Sequence, residues 1–320
     1  MVKKLGLGTW SWGNKLFWNY QKNSDNELFE VYKEALNRGY SFIDTADSYG
    51  TGKLNGRSEE LLGNFLSKTS KVQRNKIQIA TKLAPYPWRI GRNGFTLPYK
   101  NSLKRLNNNL DIVQLHWSTS RYNPKQELQL LANLCDLNKN GFEFKIGLSN
   151  IGPIKLLEII DFLAKMKRKV YSVQCQFSLL APNLKEQKKV KKICDDNNIN
   201  FLAYSPLSFG LLCKDPNSTK TSNQSLLRNL IFNLYDQPTL KLRQALLDIA
   251  HDRSVSQAQV AINWCCYQGV IPLIGLRKKE HLIDISRIQK WDLSPTEFQK
   301  LDNLSNDISI RLPANPFASK

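Results

Sequence analysis

Ser41-Phe42-Ile43-Asp44-Thr45-Ala46-Asp47-Ser48-Tyr49-Gly50 opens as a short apolar strand, ends that strand on a carboxylate and carries a tyrosine into the following loop. Ahead of it, residues 27–38 place Leu28, Val31, Tyr32, Ala35 and Leu36 at helical spacing, with Asp25 set to cap the helix and Gly39 to end it. The same unit recurs on both sides. Further strands are expected at residues 5–9, 77–82, 112–116, 145–149, 170–174, 201–204 and 270–275. Amphipathic helices are expected at residues 59–66, 127–137, 153–166, 184–195 and 240–251. Alternating strands and helices imply a parallel sheet with right-handed crossovers. Eight such strands predict an α/β fold, a (β/α)8 TIM barrel forming one domain over residues 1–320. A doubly wound sheet would have fewer strands, and Gly6-Leu7-Gly8 lacks the full dinucleotide fingerprint.

One interval departs from the pattern. Residues 205–239 are rich in Ser, Asn, Asp and Pro with weak periodicity, which reads as a long βα loop of functional use. After a last helix at residues 294–304, the C-terminal residues are expected to fold back over the barrel or fray.

Composition narrows the function classes. With 41% hydrophobic residues the chain has material for a sizeable core, which excludes a disordered protein. No apolar run approaches the ~20 residues of a membrane-spanning helix. The start of the sequence shows no apolar leader, so the expected address is cytoplasmic. The net charge of +19 raises the question of nucleic acid. Lys and Asn, both encoded by AT-rich codons, are in joint excess, and the run Lys185 to Lys192 alternates with Val190 as a solvated helix face does. No nucleic-acid motif accompanies it, so neither nucleic acid nor membrane is expected as a partner. Six cysteines form no CxxC and read as buried thiols in a reducing compartment. The three histidines lie far apart, and no metal site is expected.

A barrel of this kind carries its chemistry at the C-terminal ends of the strands. Those ends read Asp44, Lys82, His116, Asn150, Gln174, Tyr204 and Gly275. Singly, each is an ordinary loop residue. Together with Tyr49 they suit one reaction. A Tyr hydroxyl is a weak acid near ~10. A neighbouring Lys ammonium favours its phenolate, a carboxylate holds that Lys, and a His orients the oxygen on which charge develops. Such a group can protonate a carbonyl oxygen as hydride reaches the carbon.

With these residues in view, the sequence resembles the aldo-keto reductase superfamily over nearly its whole length. The motifs that carry the resemblance are Gly6-Leu-Gly-Thr-Trp-Ser-Trp-Gly13, Phe42-Ile-Asp-Thr-Ala-Asp-Ser-Tyr-Gly50, Ile79-Ala-Thr-Lys82, Val113-Gln-Leu-His-Trp117, Ile146-Gly-Leu-Ser-Asn150, Tyr204-Ser-Pro-Leu207 and Gln259-Val-Ala-Ile-Asn-Trp264. The family's catalytic tetrad then falls on Asp44, Tyr49, Lys82 and His116, which implies an NAD(P)H-dependent carbonyl reductase with Tyr49 as general acid. Thr51-Gly-Lys-Leu-Asn-Gly-Arg-Ser-Glu59, Tyr86-Pro-Trp-Arg89, Leu115-His-Trp-Ser-Thr119 and Gln176-Phe-Ser-Leu-Leu180 look like the plant and cyanobacterial branch that includes pyridoxal reductases. That implies reduction of pyridoxal to pyridoxine.

The resemblance also implies cofactor contacts at Gly8, Thr9, Trp10, Asp44, Ser149, Asn150 and Gln174. Tyr204 would stack on the nicotinamide, while Ser205, Leu207 and the loop to Gly210 wrap the pyrophosphate. The adenosine end departs from the family pattern. Leu276 stands where Ser or Thr is usual, His281 where Arg is usual and Ile285 where Asn is usual. Arg277 and Lys278 remain to meet a 2′-phosphate, so NADPH is favoured over NADH. Trp18, Tyr20, Trp88, Trp117 and Phe209 follow strand ends and are expected as an aromatic rim around the substrate. The alternative is a cofactor-sensing regulatory subunit resembling potassium-channel β-subunits. Family habit implies a monomer or weak oligomer.

Overall fold

The computed structural model describes residues 3–217 and 225–319. Eight parallel strands close into a barrel in sequence order: β1 (Gly6–Gly8), β2 (Phe42–Asp44), β3 (Gln78–Leu83), β4 (Ile112–Leu115), β5 (Lys145–Ser149), β6 (Val170–Gln176), β7 (Asn200–Tyr204) and β8 (Ile271–Gly275). β1 pairs with both β2 and β8, so Gly8 sits level with Asp44 on one side and Gly275 on the other.

Side chains alternate along each strand, and that period sorts the barrel into layers. Phe42, Ala80, Ile112, Leu202 and Leu273 make a separate apolar cluster inside the barrel. Two residues further along the same strands come Asp44, Lys82, Gln114, Tyr204 and Gly275. The interior therefore changes from apolar to polar on approaching the C-terminal ends. Residues of opposite parity on the strands, Ile43, Ile79, Val113, Val173 and Ile274, join the larger core with the surrounding helices. Full burial of each such side chain contributes ~1.5–3 kcal/mol.

The helices follow the expected stripes with small shifts. Helix Pro153–Lys165 starts on Pro153 after Gly152, and helix Pro295–Asp307 is capped reciprocally by Ser294 and Glu297. Asp25 does not cap its helix. It lies inside helix Asp25–Asn37 and holds Arg57 at 2.6 Å and the Tyr20 hydroxyl at 2.5 Å. Gly39 does end that helix, at φ 78°. Along helix Leu184–Asp196 the lysine run is a solvated face, with Lys191 and Lys192 paired to Asp195 and Asp196 one turn on.

Residues 205–239 are not one irregular loop. Ser208–Cys213 forms 3-10 turns and Leu226–Tyr235 an α-helix. Residues 218–224, which fall in the same interval, lie outside the described residues. The C-terminal segment folds back over the barrel: Leu312 N–H donates to the Leu180 carbonyl, and Ser319 N–H donates to the Asn150 carbonyl. Among the described residues no helix is long and apolar enough to cross a membrane.

Helix Arg57–Ser67 packs close to the end of helix Thr96–Arg105, and Gly63 makes that approach possible. A Cβ there would lie 1.9 Å from the Arg105 carbonyl oxygen. Gly63→Ala is expected to destabilise the fold by ~1–3 kcal/mol, read as a lower melting temperature, because backbone must move.

Candidate active site

The polar layer at the strand ends is one hydrogen-bonded group. Lys82 Nζ donates to Asp44 Oδ2 at 2.6 Å and to the Thr45 carbonyl at 2.8 Å. Asp44 Oδ1 accepts from Gln114 Nε2 at 3.0 Å and from Gln174 Nε2 at 2.8 Å. Strands β2, β3, β4 and β6 bring the four together, and Lys82 stands level with Gln114 across β3 and β4. Asp44 and Lys82 are almost wholly excluded from solvent, so the pair depends on these further bonds to be tolerated.

Tyr49 comes in from the loop after β2. Its ring centroid is 4.7 Å from Lys82 Nζ. His116 follows β4 and meets Tyr49 edge-on, with centroids 5.8 Å apart. His116 Nδ1 is 3.2 Å from the Ser48 hydroxyl, and Nε2 has no partner among the described residues. Asn150, at φ 60°, donates from its amide to the His116 carbonyl at 3.0 Å and accepts from the Tyr204 hydroxyl at 2.8 Å.

Burial sets the charges here. It pushes the Tyr49 hydroxyl above its usual value; Lys82 pulls the other way and loses. The sequence-based expectation that Lys82 lowers Tyr49 gives the right sign for that one neighbour and misses the larger effect of burial. Burial alone would lower Lys82, but Asp44 and Tyr49 bring it above its usual value, so the ammonium persists. His116 is held well below 6.5 by burial and then by Lys82 and Arg89, so it is neutral near neutral pH. The unfolded chain binds that proton more readily than the folded one. Stability from this group is therefore present above about pH 6.5 and lost as pH falls toward the lowered folded value. A melting series is expected to show a weaker acid-side decline in His116→Gln than in the wild type. Superimposed pH profiles would contradict this.

A cavity of about 1720 Å³ opens over the group. It is larger than the ~300–1,000 Å³ typical of one small-molecule site, so it has room for more than one ligand. Of the residues expected at a cofactor, Gly8, Trp10, Asp44, Ser149, Asn150, Gln174, Tyr204, Ser205, Leu207, Gly210, Arg277 and Lys278 all line it. Thr9 does not. Its hydroxyl is buried between the Asp44 carbonyl and Ser58. Ser205, Ser208 and Phe209 have φ of 52°, 52° and 61°, followed by Gly210 at 95°. Non-glycine residues held there are strained, and such strain clusters at ligand clamps, where successive backbone N–H groups can face an anion. Four polar atoms of cavity-lining residues lack partners among the described residues: Ser11 Oγ, Trp18 Nε1, Gln176 Nε2 and Arg228 Nε. A nucleotide with its phosphates, hydroxyls and carboxamide fits that set of donors. Leu276 and Ile285 are buried and offer no polar side chain at this end, whereas His281 lines the cavity.

The expected aromatic rim is only partly there. Trp18 and Phe209 line the cavity. Trp88 is 73% exposed and stacks on Tyr86 at 4.6 Å, away from the cavity. Trp117 stacks on Phe317 and packs beside His116, and it does not line the cavity. Tyr20 is buried against Asp25 and Arg57. The wall is completed instead by Pro313, Ala314, Asn315 and Pro316 of the C-terminal segment. Gln114, Ser48, Gln176 and Arg228 were not foreseen. Gln114 carried a readable signal, a lone polar residue within Ile112-Val113-Gln114-Leu115.

Comparison with known proteins agrees with this geometry. The family model of the aldo/keto reductase family matches residues 4–306. Pyridoxal reductase, chloroplastic, from Arabidopsis thaliana is 39% identical over 322 residues, covering 100% of this chain and 87% of that protein. Aldo-keto reductase YhdN from Bacillus subtilis is 27% identical, covering 98% of this chain and 93% of that one. Among solved structures, the thermostable aldo-keto reductase Tm1743, crystallised with the inhibitor epalrestat, superposes with a TM-score of 0.71 at 25% identity over 95% of both chains. Members of this family are oxidoreductases that reduce carbonyl groups with a nicotinamide nucleotide. By its sequence over residues 4–306 and its eight-stranded barrel, the chain belongs to the aldo/keto reductase family.

Proposed function

We propose that the protein is an NADPH-dependent reductase of aromatic aldehydes whose physiological reaction is pyridoxal to pyridoxine. The observation that carries the reading is the half-buried Tyr49 side chain, set between a Lys82 ammonium locked to Asp44 and a neutral His116. The bound nicotinamide supplies the hydride. Tyr49 gives its hydroxyl proton to the carbonyl oxygen of the substrate. Lys82 stabilises the phenolate left behind, and Asp44, fixed by Gln114 and Gln174, keeps Lys82 in place. His116 Nε2 orients the substrate oxygen. Ser149, Asn150 and Gln174 hold the nicotinamide end, Tyr204 packs against its ring, and the Ser205–Gly210 backbone takes the pyrophosphate as a clamp. Trp18 and Phe209 favour a flat substrate.

The pyridoxal reading is supported by the Arabidopsis relative at 39% identity. NADPH over NADH is supported by Arg277 and Lys278 in the cavity wall. All six cysteines are free thiols, which suits a reducing compartment, and we place the protein in the cytoplasm as a monomer or weak oligomer. Initial rates with pyridoxal and with a nitrobenzaldehyde, each with NADPH and NADH, test the reading. Turnover of pyridoxal at low concentration with NADPH is expected. Activity on the nitrobenzaldehyde alone would remove pyridoxal as the substrate, and equal use of NADH would remove the cofactor preference.

A further inference from the structure

Two loops hang from the end of β3 and meet at His116. On one side Asp47 N–H donates to the Lys82 carbonyl at 3.0 Å, and Asp47 Oδ1 accepts from the Ala84 N–H at 3.2 Å. On the other side His116 N–H donates to the Leu83 carbonyl at 3.1 Å. Arg89, which closes the stretch Tyr86-Pro-Trp-Arg89, fastens the first loop. Its Nη1 donates to Asp47 Oδ2 and, at 2.8 Å, to the Ala84 carbonyl. Asn150 fastens the second loop through the His116 carbonyl at 3.0 Å. Ser48, next to Asp47, is thereby brought against the imidazole, with its Oγ 3.2 Å from Nδ1.

Burial, then Lys82 and Arg89, keep the ring neutral near neutral pH. A neutral imidazole has one N–H, and the hydrogen bond made by one nitrogen decides the state of the other. Among the described residues Nδ1 has Ser48 as its partner and Nε2 has none, while His116 lines the main cavity. If Nδ1 donated to Ser48, Nε2 would turn a lone pair towards a carbonyl oxygen that is gaining negative charge. If Ser48 donates to Nδ1, Nε2 carries the hydrogen and offers that oxygen a donor. A carbonyl or carboxylate in the place of Ser48 accepts only and would impose the first state; a hydroxyl permits the second.

Resting on the reductase reading above, we propose that Ser48 is a positioning residue for the reaction: its hydroxyl donates to His116 Nδ1 and so fixes the imidazole in the Nε2–H tautomer that the substrate oxygen requires. The Asp47–Arg89 pair acts behind it by holding the Ser48 backbone in register with His116.

Nitrogen-15 NMR of the whole protein, labelled on histidine, reads the tautomer without any turnover. The chain has 3 histidines, and the signals lost in His116→Gln identify the one in question. The wild type is expected to show the Nε2–H form. Ser48→Ala is expected to raise the share of the Nδ1–H form and to lower kcat for aldehyde reduction by ~3–10-fold, the worth of one neutral hydrogen bond, with nucleotide affinity within about twofold. Ser48→Thr, which keeps the hydroxyl, should restore both tautomer and kcat. An Nδ1–H form in the wild type, or an unchanged tautomer in Ser48→Ala, would overturn the proposal. A shifted tautomer with unchanged turnover would instead remove His116 from the reaction and defeat the reading on which the proposal rests.

Discussion

Tyr49→Phe is expected to lower turnover by about 10²–10⁴-fold, the usual contribution of a positioned general acid, while leaving NADPH binding within about twofold. Only the hydroxyl is removed. The ring stays against Lys82 and His116, so the packing of the cavity floor is preserved. Burial holds the wild-type hydroxyl protonated well into the alkaline range, so its supply of the proton should not vary across neutral pH. Nucleotide fluorescence titration and initial rates on the same sample separate the two effects. Near-wild-type turnover would move the proton donor elsewhere.

The second large effect is expected at Lys82. Lys82→Met leaves Asp44 buried with its charge uncompensated, at 3% side-chain exposure. Removing one partner of a buried ion pair costs ~3–5 kcal/mol, and turnover should also fall because the Tyr49 phenolate loses its cation. The double variant Asp44→Asn/Lys82→Met should recover most of the stability, since Gln114 and Gln174 can still bond to the amide oxygen, and none of the activity. Thermal melts and rates of the three proteins check this. If the double variant melts as early as the single one, the loss lies in packing and not in charge.

The barrel was readable because every strand is short, apolar and ends on a residue that no core needs. Asp44, Lys82 and His116 stood out for that reason. What burial does to Tyr49 was not readable, because the depth of the pocket depends on residues far away in sequence, among them Pro313 to Pro316. Trp88 and Trp117 were misplaced since an aromatic after a strand has the same signature whether it faces a ligand or, as Trp88 does, a neighbouring Tyr86. Asp25 looked like a cap by spacing, but two stronger partners, Arg57 and Tyr20, claimed its carboxylate. Arg228 sits in the stretch with the weakest periodicity, and its partner Trp18 comes from the opposite end of the sequence, so no local pattern joins them.

This cavity is expected to carry out reduction and not merely to hold a nucleotide. A single-turnover experiment tests it most directly: protein in excess, loaded with NADPH, mixed with pyridoxal, with both nucleotide and vitamer quantified. One pyridoxine is expected for each NADPH oxidised. NADPH that binds and stays reduced beside unchanged pyridoxal would contradict it.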